Sequence, residues 1–137
     1  MAKQRPTEIL VVDDEISDLT LMCTILRREG YRVIPASGYL AGFNTFSLHA
    51  GHFDLLVTDV SLPDENGCEL AKTLLAIDPS LRVLFVSGPS GAAIFHFYNI
   101  LGPGIHYLEK PLNQDKFVKL IRTILEPGTL VGTTNAS

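Results

Sequence analysis

Short apolar runs alternate with longer stretches of helical period along the whole chain. Ile9-Leu10-Val11-Val12, Leu55-Leu56-Val57 and Val83-Leu84-Phe85-Val86 are almost unbroken in apolar character. Such runs mark strands that are buried on both faces. The pattern predicts strands over Glu8–Val12, Tyr31–Pro35, Leu55–Thr58, Arg82–Val86 and Ile105–Leu108. Between them, apolar residues recur at core spacing for helices. Leu19, Met22, Cys23 and Leu26 define a helix over Ile16–Glu29, which Gly30 terminates. Leu40, Phe43 and Phe46 define one over Tyr39–Leu48, weakened by an internal Gly42. Further helices are expected over Cys68–Ile77, Ala92–Leu101 and Gln114–Leu125.

A strand–helix unit repeated five times predicts an α/β fold. Right-handed crossovers then place helices on both faces of a parallel sheet. Residues 8–126 form the expected domain, residues 1–7 a tail, and the small polar residues 127–137 a tail or the start of a linker.

Bulk composition narrows the function. The 137 residues fit one domain, and 46% hydrophobic content is ample for one core. The net charge is −4 with no basic stripe, which argues against direct nucleic-acid binding by this chain. The apolar runs are too short to span a bilayer, and the N-terminus lacks the apolar stretch of a signal peptide. Cys23 and Cys68 match no paired-thiol motif and are expected to fill core space in a reduced, cytoplasmic setting. His49, His52, His96 and His106 have no metal-ligand spacing. No phosphate-binding glycine loop follows the first strand, so a nucleotide enzyme has no support.

The chemistry collects at strand ends. Asp13 and Asp14 follow the first strand, Asp59 the third, Ser87 the fourth, and Lys110 the fifth. In an open parallel sheet those ends share one edge, where ligands bind. Adjacent carboxylates near a third repel unless something positive sits among them. A hard divalent cation with oxygen ligands fits, magnesium best. An aspartate there is a third ligand or a nucleophile that holds a phosphoryl group as an acyl phosphate. A hydroxyl at Ser87 and an ammonium at Lys110 suit phosphoryl oxygens. Taken singly, each residue reads more simply as a helix cap, a solvated acid or a turn; the five together favour the phosphoryl-transfer reading. Lys110–Pro111 is a candidate cis peptide that would aim the lysine inward.

Leu10-Val11-Val12-Asp13-Asp14-Glu15, Val57-Thr58-Asp59-Val60-Ser61-Leu62-Pro63 with Asn66-Gly67, Val86-Ser87-Gly88 and Tyr107-Leu108-Glu109-Lys110-Pro111, in this order and spacing, resemble a response-regulator receiver domain of two-component signalling. The resemblance implies a flavodoxin-like (βα)5 sheet of order 2-1-3-4-5. It implies that Asp59 accepts a phosphoryl group from a sensor histidine kinase or histidine phosphotransfer protein. Asp14 and Asp59 would ligate Mg2+ with the Ser61 carbonyl, and Asp13 largely through water. Lys110 would bind a phosphoryl oxygen, Ser87 would move to it, and Tyr107 would rotate into the space released. The output face is implied to be helix 4, strand 5 and helix 5, open to a homodimer or an output domain. The chain is then a signalling module rather than an enzyme. The alternative is a binding-only pseudo-receiver working through its fourth helix. A phosphohydrolase would want an acid two residues past Asp59, where Ser61 stands.

Several features depart from the family pattern. Leu62 replaces a frequent Met. Ser61 and Pro89 stand where they bear on phosphoryl lifetime. Gly102-Pro103-Gly104 replaces a more regular turn, and Pro103 cannot take a positive φ, so the loop into the last strand is expected to be reshaped. In addition, Ala92–Leu101 is apolar almost all round and must be covered, by a partner or second copy or by folding its aromatics into the core.

Overall fold

The computed structural model describes residues 6–49, 52–99 and 102–126. Five strands alternate with five helices: β1 Glu8–Val12, α1 Ile16–Arg28, β2 Arg32–Ala36, α2 Tyr39–Leu48, β3 Leu55–Thr58, α3 Gly67–Ile77, β4 Arg82–Ser87, α4 Pro89–Tyr98, β5 Ile105–Glu109 and α5 Gln114–Leu125. The strands form one parallel sheet of order β2-β1-β3-β4-β5, the flavodoxin-like arrangement expected.

The pleat divides the core. Ile9 and Val11 of β1, Leu55 and Val57 of β3, and Leu84 and Val86 of β4 pack with α1 and α5. Leu10, Val12, Leu56, Val83 and Phe85 point the other way, toward α2, α3 and α4. Alternation along a strand sends successive side chains to opposite faces, so the unbroken apolar runs feed two separate helical layers.

Several element ends shift by one residue, and two boundaries move for clear local reasons. β2 lies one residue later than expected, with Pro35 opposite Val11. As an edge strand it tolerates a proline, which has no N–H to donate. α4 begins at Pro89 rather than Ala92, because proline's fixed φ suits a helix's first position. It ends at Tyr98, where Asn99 takes a left-handed φ of 50°. Ile100 and Leu101, expected in this helix, lie outside the described residues, as do residues 127–137. α2 forms in full despite Gly42, whose missing side chain lets the helix approach Leu70 and Val12. In the loop before β5, Gly102 takes the positive φ that Pro103 cannot, and Ile105 N–H closes the turn onto the Gly102 carbonyl.

The all-round apolar character of α4 is partly resolved within the domain. Ile94, Phe95 and Tyr98 pack against the core, while Phe97 stays 85% exposed. Tyr98 is tied to α3: its hydroxyl donates to Glu69 at 2.7 Å and accepts from Asn66 Nδ2 at 3.1 Å.

Both cysteines are buried and free. Burial pushes the Cys68 thiol up to about 11. A thiol whose folded value is raised contributes stability that is fully present below its unfolded value of about 8.5 and is lost as pH climbs through the folded one. Stability is therefore expected to hold to about pH 8.5 and to decline toward pH 11. Burial also raises Tyr31 and Tyr107, which steepens that limb. Iodoacetamide at pH 9 should leave the native thiols untouched and label both in urea; labelling of Cys68 in the native chain would contradict this placement.

Candidate phosphoryl-transfer site

The sheet register sets the site. Val12 lies opposite Thr58, so Asp13 and Asp59 emerge side by side where β1 and β3 end. Main-chain bonds fix both: Asp13 N–H donates to the Ala36 carbonyl, and Asp59 N–H to that of Val12. Ser87 is the last residue of β4, opposite Glu109, and its carbonyl accepts from Lys110 N–H. Four segments far apart in sequence thus deliver their side chains to one edge.

Asp59 is the centre of contacts. Its Oδ1 accepts from Ser87 Oγ at 2.6 Å and from Ser61 N–H at 3.0 Å. Its Oδ2 accepts from Lys110 Nζ at 2.9 Å. The same ammonium donates to Asp13 Oδ2 at 2.9 Å and to Asp18 Oδ2 at 2.8 Å. Asp13 uses its other oxygen to accept from Glu15 N–H at the start of α1. The Lys110–Pro111 peptide is cis.

Carboxylate oxygens of Asp13, Asp14 and Asp59 all lie within 4.8 Å of one another. Asp13 is buried and Asp14 is exposed, so the trio opens to solvent on one side. Oxygen donors in this number suit a hard divalent cation that retains some waters. The trio therefore fits magnesium, and Lys110 relieves part of the repulsion through its bonds to Asp13 and Asp59. Burial raises the Asp13 carboxyl above its usual range, against the lowering effect of Glu15 N–H and Lys110. Burial would lower Lys110, but its bonds to Asp18, Asp59 and Asp13 outweigh that and hold it firmly protonated. Burial lowers His106, with Arg82 adding to the effect.

Tyr107 lies beside this cluster. Its ring is half-buried against Phe95 at 4.9 Å between centroids, and Phe95 in turn meets Phe85 at 5.2 Å. The phenol makes a long 3.4 Å contact with the Gly88 carbonyl.

Four residues have roles that motif reading does not reveal. Asp18 reads as an ordinary first-turn helix acid; the available signal is that it lies one helical turn past the Asp13–Asp14 pair. Gly67 abuts the Asp59 carbonyl and Gly91 abuts Ser87 Oγ, so closely that a Cβ at either would occupy its neighbour's space. Asp64, in the loop after Asp59, accepts from Tyr39 and Leu40 N–H at the start of α2, a helix with no cap of its own.

Comparison with known proteins agrees with this geometry. The response regulator receiver domain family matches residues 9–122. The transcriptional regulatory protein ZraR of Klebsiella oxytoca is 34% identical over 110 residues, covering 80% of this chain and 24% of that protein. The chain thus spans about a quarter of the length of that relative. The response regulator receiver protein CpdR of Brucella abortus is 29% identical over 86 residues, covering 63% of this chain and 70% of that one. Among solved structures, a CheY-like receiver domain protein from Methanospirillum hungatei superposes with a TM-score of 0.76 at 26% identity, covering 93% of this chain and 100% of that one. Among the described residues, no helix is long and apolar enough to cross a membrane. The binding-only alternative finds no support in these comparisons. A sheet of order β2-β1-β3-β4-β5 that gathers three aspartates, a serine and a lysine at its carboxyl edge, and a family match across nearly all of it, place this chain among the response regulator receiver domains of two-component signalling.

Proposed function

We propose that the chain accepts a phosphoryl group on Asp59 from a sensor histidine kinase or histidine phosphotransfer protein, in a Mg2+-dependent reaction, and switches conformation in response. The observation that carries this is the convergence on one carboxylate: Asp59 is held by Lys110, Ser61 N–H and Ser87, with two further acids beside it. An Asp59 oxygen forms the new bond to phosphorus as the phosphorus–nitrogen bond of the donor phosphohistidine breaks. The electron pair leaves with the imidazole, which takes up a proton. Asp13, Asp14, Asp59 and the Ser61 carbonyl would hold magnesium, which neutralises charge on the carboxylate and phosphoryl oxygens.

The residues around Asp59 then change partners. Phosphorylation adds charge and strong acceptor oxygens at one point. Lys110 turns a donor to a phosphoryl oxygen. Ser87 exchanges its bond to Asp59 for one to the phosphoryl group, and Tyr107 moves into the vacated space. Because Tyr107 packs on Phe95, its movement reaches α4. The face of α4, β5 and α5 is therefore the output surface, offered to a second copy or an output domain.

Intact mass after incubation with acetyl phosphate tests the reading. A single phosphoryl adduct should form with magnesium and vanish with a chelator. An adduct indifferent to magnesium would remove the metal from the mechanism. No adduct from either acetyl phosphate or a phosphorylated histidine phosphotransfer protein would overturn the assignment.

A further inference from the structure

Lys110 has three ammonium donors, and three carboxylates take them all. Two of those carboxylates belong to the strand-end site. The third, Asp18, comes from the first turn of α1 and makes the shortest of the three bonds, at 2.8 Å. The Lys110 side chain is 18% exposed, and those of Asp13 and Asp59 are 0% and 11% exposed, whereas that of Asp18 is 39% exposed. Asp18 therefore closes the solvent side of the ammonium. A lysine is a point charge on a flexible four-carbon stem with freely rotating donors. Its aim depends on what grips it.

We propose that Asp18 is a positioning residue for phosphoryl transfer: it clamps Lys110 to α1 and keeps the ammonium aimed at Asp59 as the phosphoryl group arrives. The inference rests on the reading of Asp59 as phosphoacceptor. When Asp59 becomes an acyl phosphate its carboxyl loses its charge, and a charge-assisted hydrogen bond to it weakens accordingly. Asp13 and Asp18 keep two of the three donors, so the third is free to pass from Asp59 to a phosphoryl oxygen without the ammonium swinging into water.

A bystander acid predicts the opposite sign. Removing a negative charge near an incoming phosphoryl donor lowers repulsion, so phosphorylation should speed up, and salt should erase the difference. The experiment compares wild type, Asp18→Ala and Asp18→Glu in two readouts. The first is the rate of adduct formation at saturating acetyl phosphate and magnesium, at low and high ionic strength. The second is the 1H–15N resonance of the Lys110 ammonium in the unphosphorylated protein. Asp18→Ala is expected to slow adduct formation by about threefold to tenfold at both ionic strengths, the size of one partly exposed charge-assisted hydrogen bond. Asp18→Glu should recover part of that rate, and the protected ammonium signal of wild type should exchange away in Asp18→Ala. An equal or faster rate in Asp18→Ala, or an unchanged ammonium signal, overturns the proposal. If wild type forms no adduct, the phosphoacceptor reading has failed, and the ammonium signal still decides whether Asp18 holds Lys110.

Discussion

Asp59→Asn should abolish the phosphoryl adduct completely while leaving the fold intact. The substitution keeps the shape of the side chain and an oxygen that can accept from Ser61 N–H and Ser87 Oγ. It removes the nucleophile, since a neutral amide oxygen does not form the acyl phosphate that a carboxylate forms. Stability is expected to hold or to rise by up to about 1 kcal/mol. One of three mutually repelling carboxylates becomes neutral, which offsets the weakened bond to Lys110. Intact mass and thermal melting on the same sample separate the two effects. A persisting adduct in Asp59→Asn would place the chemistry on another residue. A collapsed melting transition would mean that the Asp59–Lys110 contact carries the fold rather than the function.

The largest effect on stability is expected from Gly67→Ala. Gly67 is the first residue of α3, and its N–H donates to the Val60 carbonyl at 2.7 Å, closing the loop that follows Asp59. A Cβ there would fall on the Asp59 carbonyl oxygen, with Thr58 Oγ1 at 2.9 Å. Neither neighbour is a side-chain tip that can swing away: one is main chain, and the other is buried and bonded to that same carbonyl. Alanine in a helix ordinarily gains up to about 1 kcal/mol over glycine. Overpacking against fixed neighbours costs about 3 kcal/mol at the upper end of its usual range, so the clash wins. A fall in melting temperature of roughly 10 °C is expected for a domain of this size. Gly88→Ala serves as the control, since a Cβ at Gly88 meets nothing within 4 Å. Equal melting of the two variants would show that the loop yields freely. The clash also pushes directly on the Asp59 main chain, so the folded fraction of Gly67→Ala should accept phosphoryl groups more slowly.

The parts of this molecule that follow from one-dimensional pattern were legible in the sequence. The unbroken apolar runs of β1, β3 and β4 report burial on two faces, and the acids that follow β1 and β3 and the serine that ends β4 fall on the shared edge. Element boundaries were less legible where a residue's role depends on its neighbour in space. Pro35 is acceptable in β2 only because that strand is an edge, and Pro89 opens α4 rather than preceding it. Cross-layer contacts were not legible. Asp18 reads as a solvated helix acid until Lys110 is brought to it across 92 positions of sequence. Asp64 reads as a turn former until it is seen capping α2. The crowding at Gly67 and Gly91 was hidden as well, because a pattern of hydrophobicity carries no record of which neighbours crowd a Cα. The fourth helix was ambiguous for a related reason: its composition fixes that most of it must be covered, but the inward turn of Ile94, Phe95 and Tyr98 depends on a boundary set by Pro89.

The order in which the site's members leave the ribosome has a consequence. Asp13 is synthesised 97 positions, and Asp59 51 positions, before the lysine that joins them. Until β5 has docked beside β4, the clustered acids have no ammonium among them and Ser87 has no strand to seal its edge. A nascent chain, or one clipped before Lys110, would thus display its acids yet lack the cation that offsets their charge. On the reading of Asp59 as phosphoacceptor, the site is complete only once β5 has docked, so a copy clipped before Lys110 is expected to take no phosphoryl group.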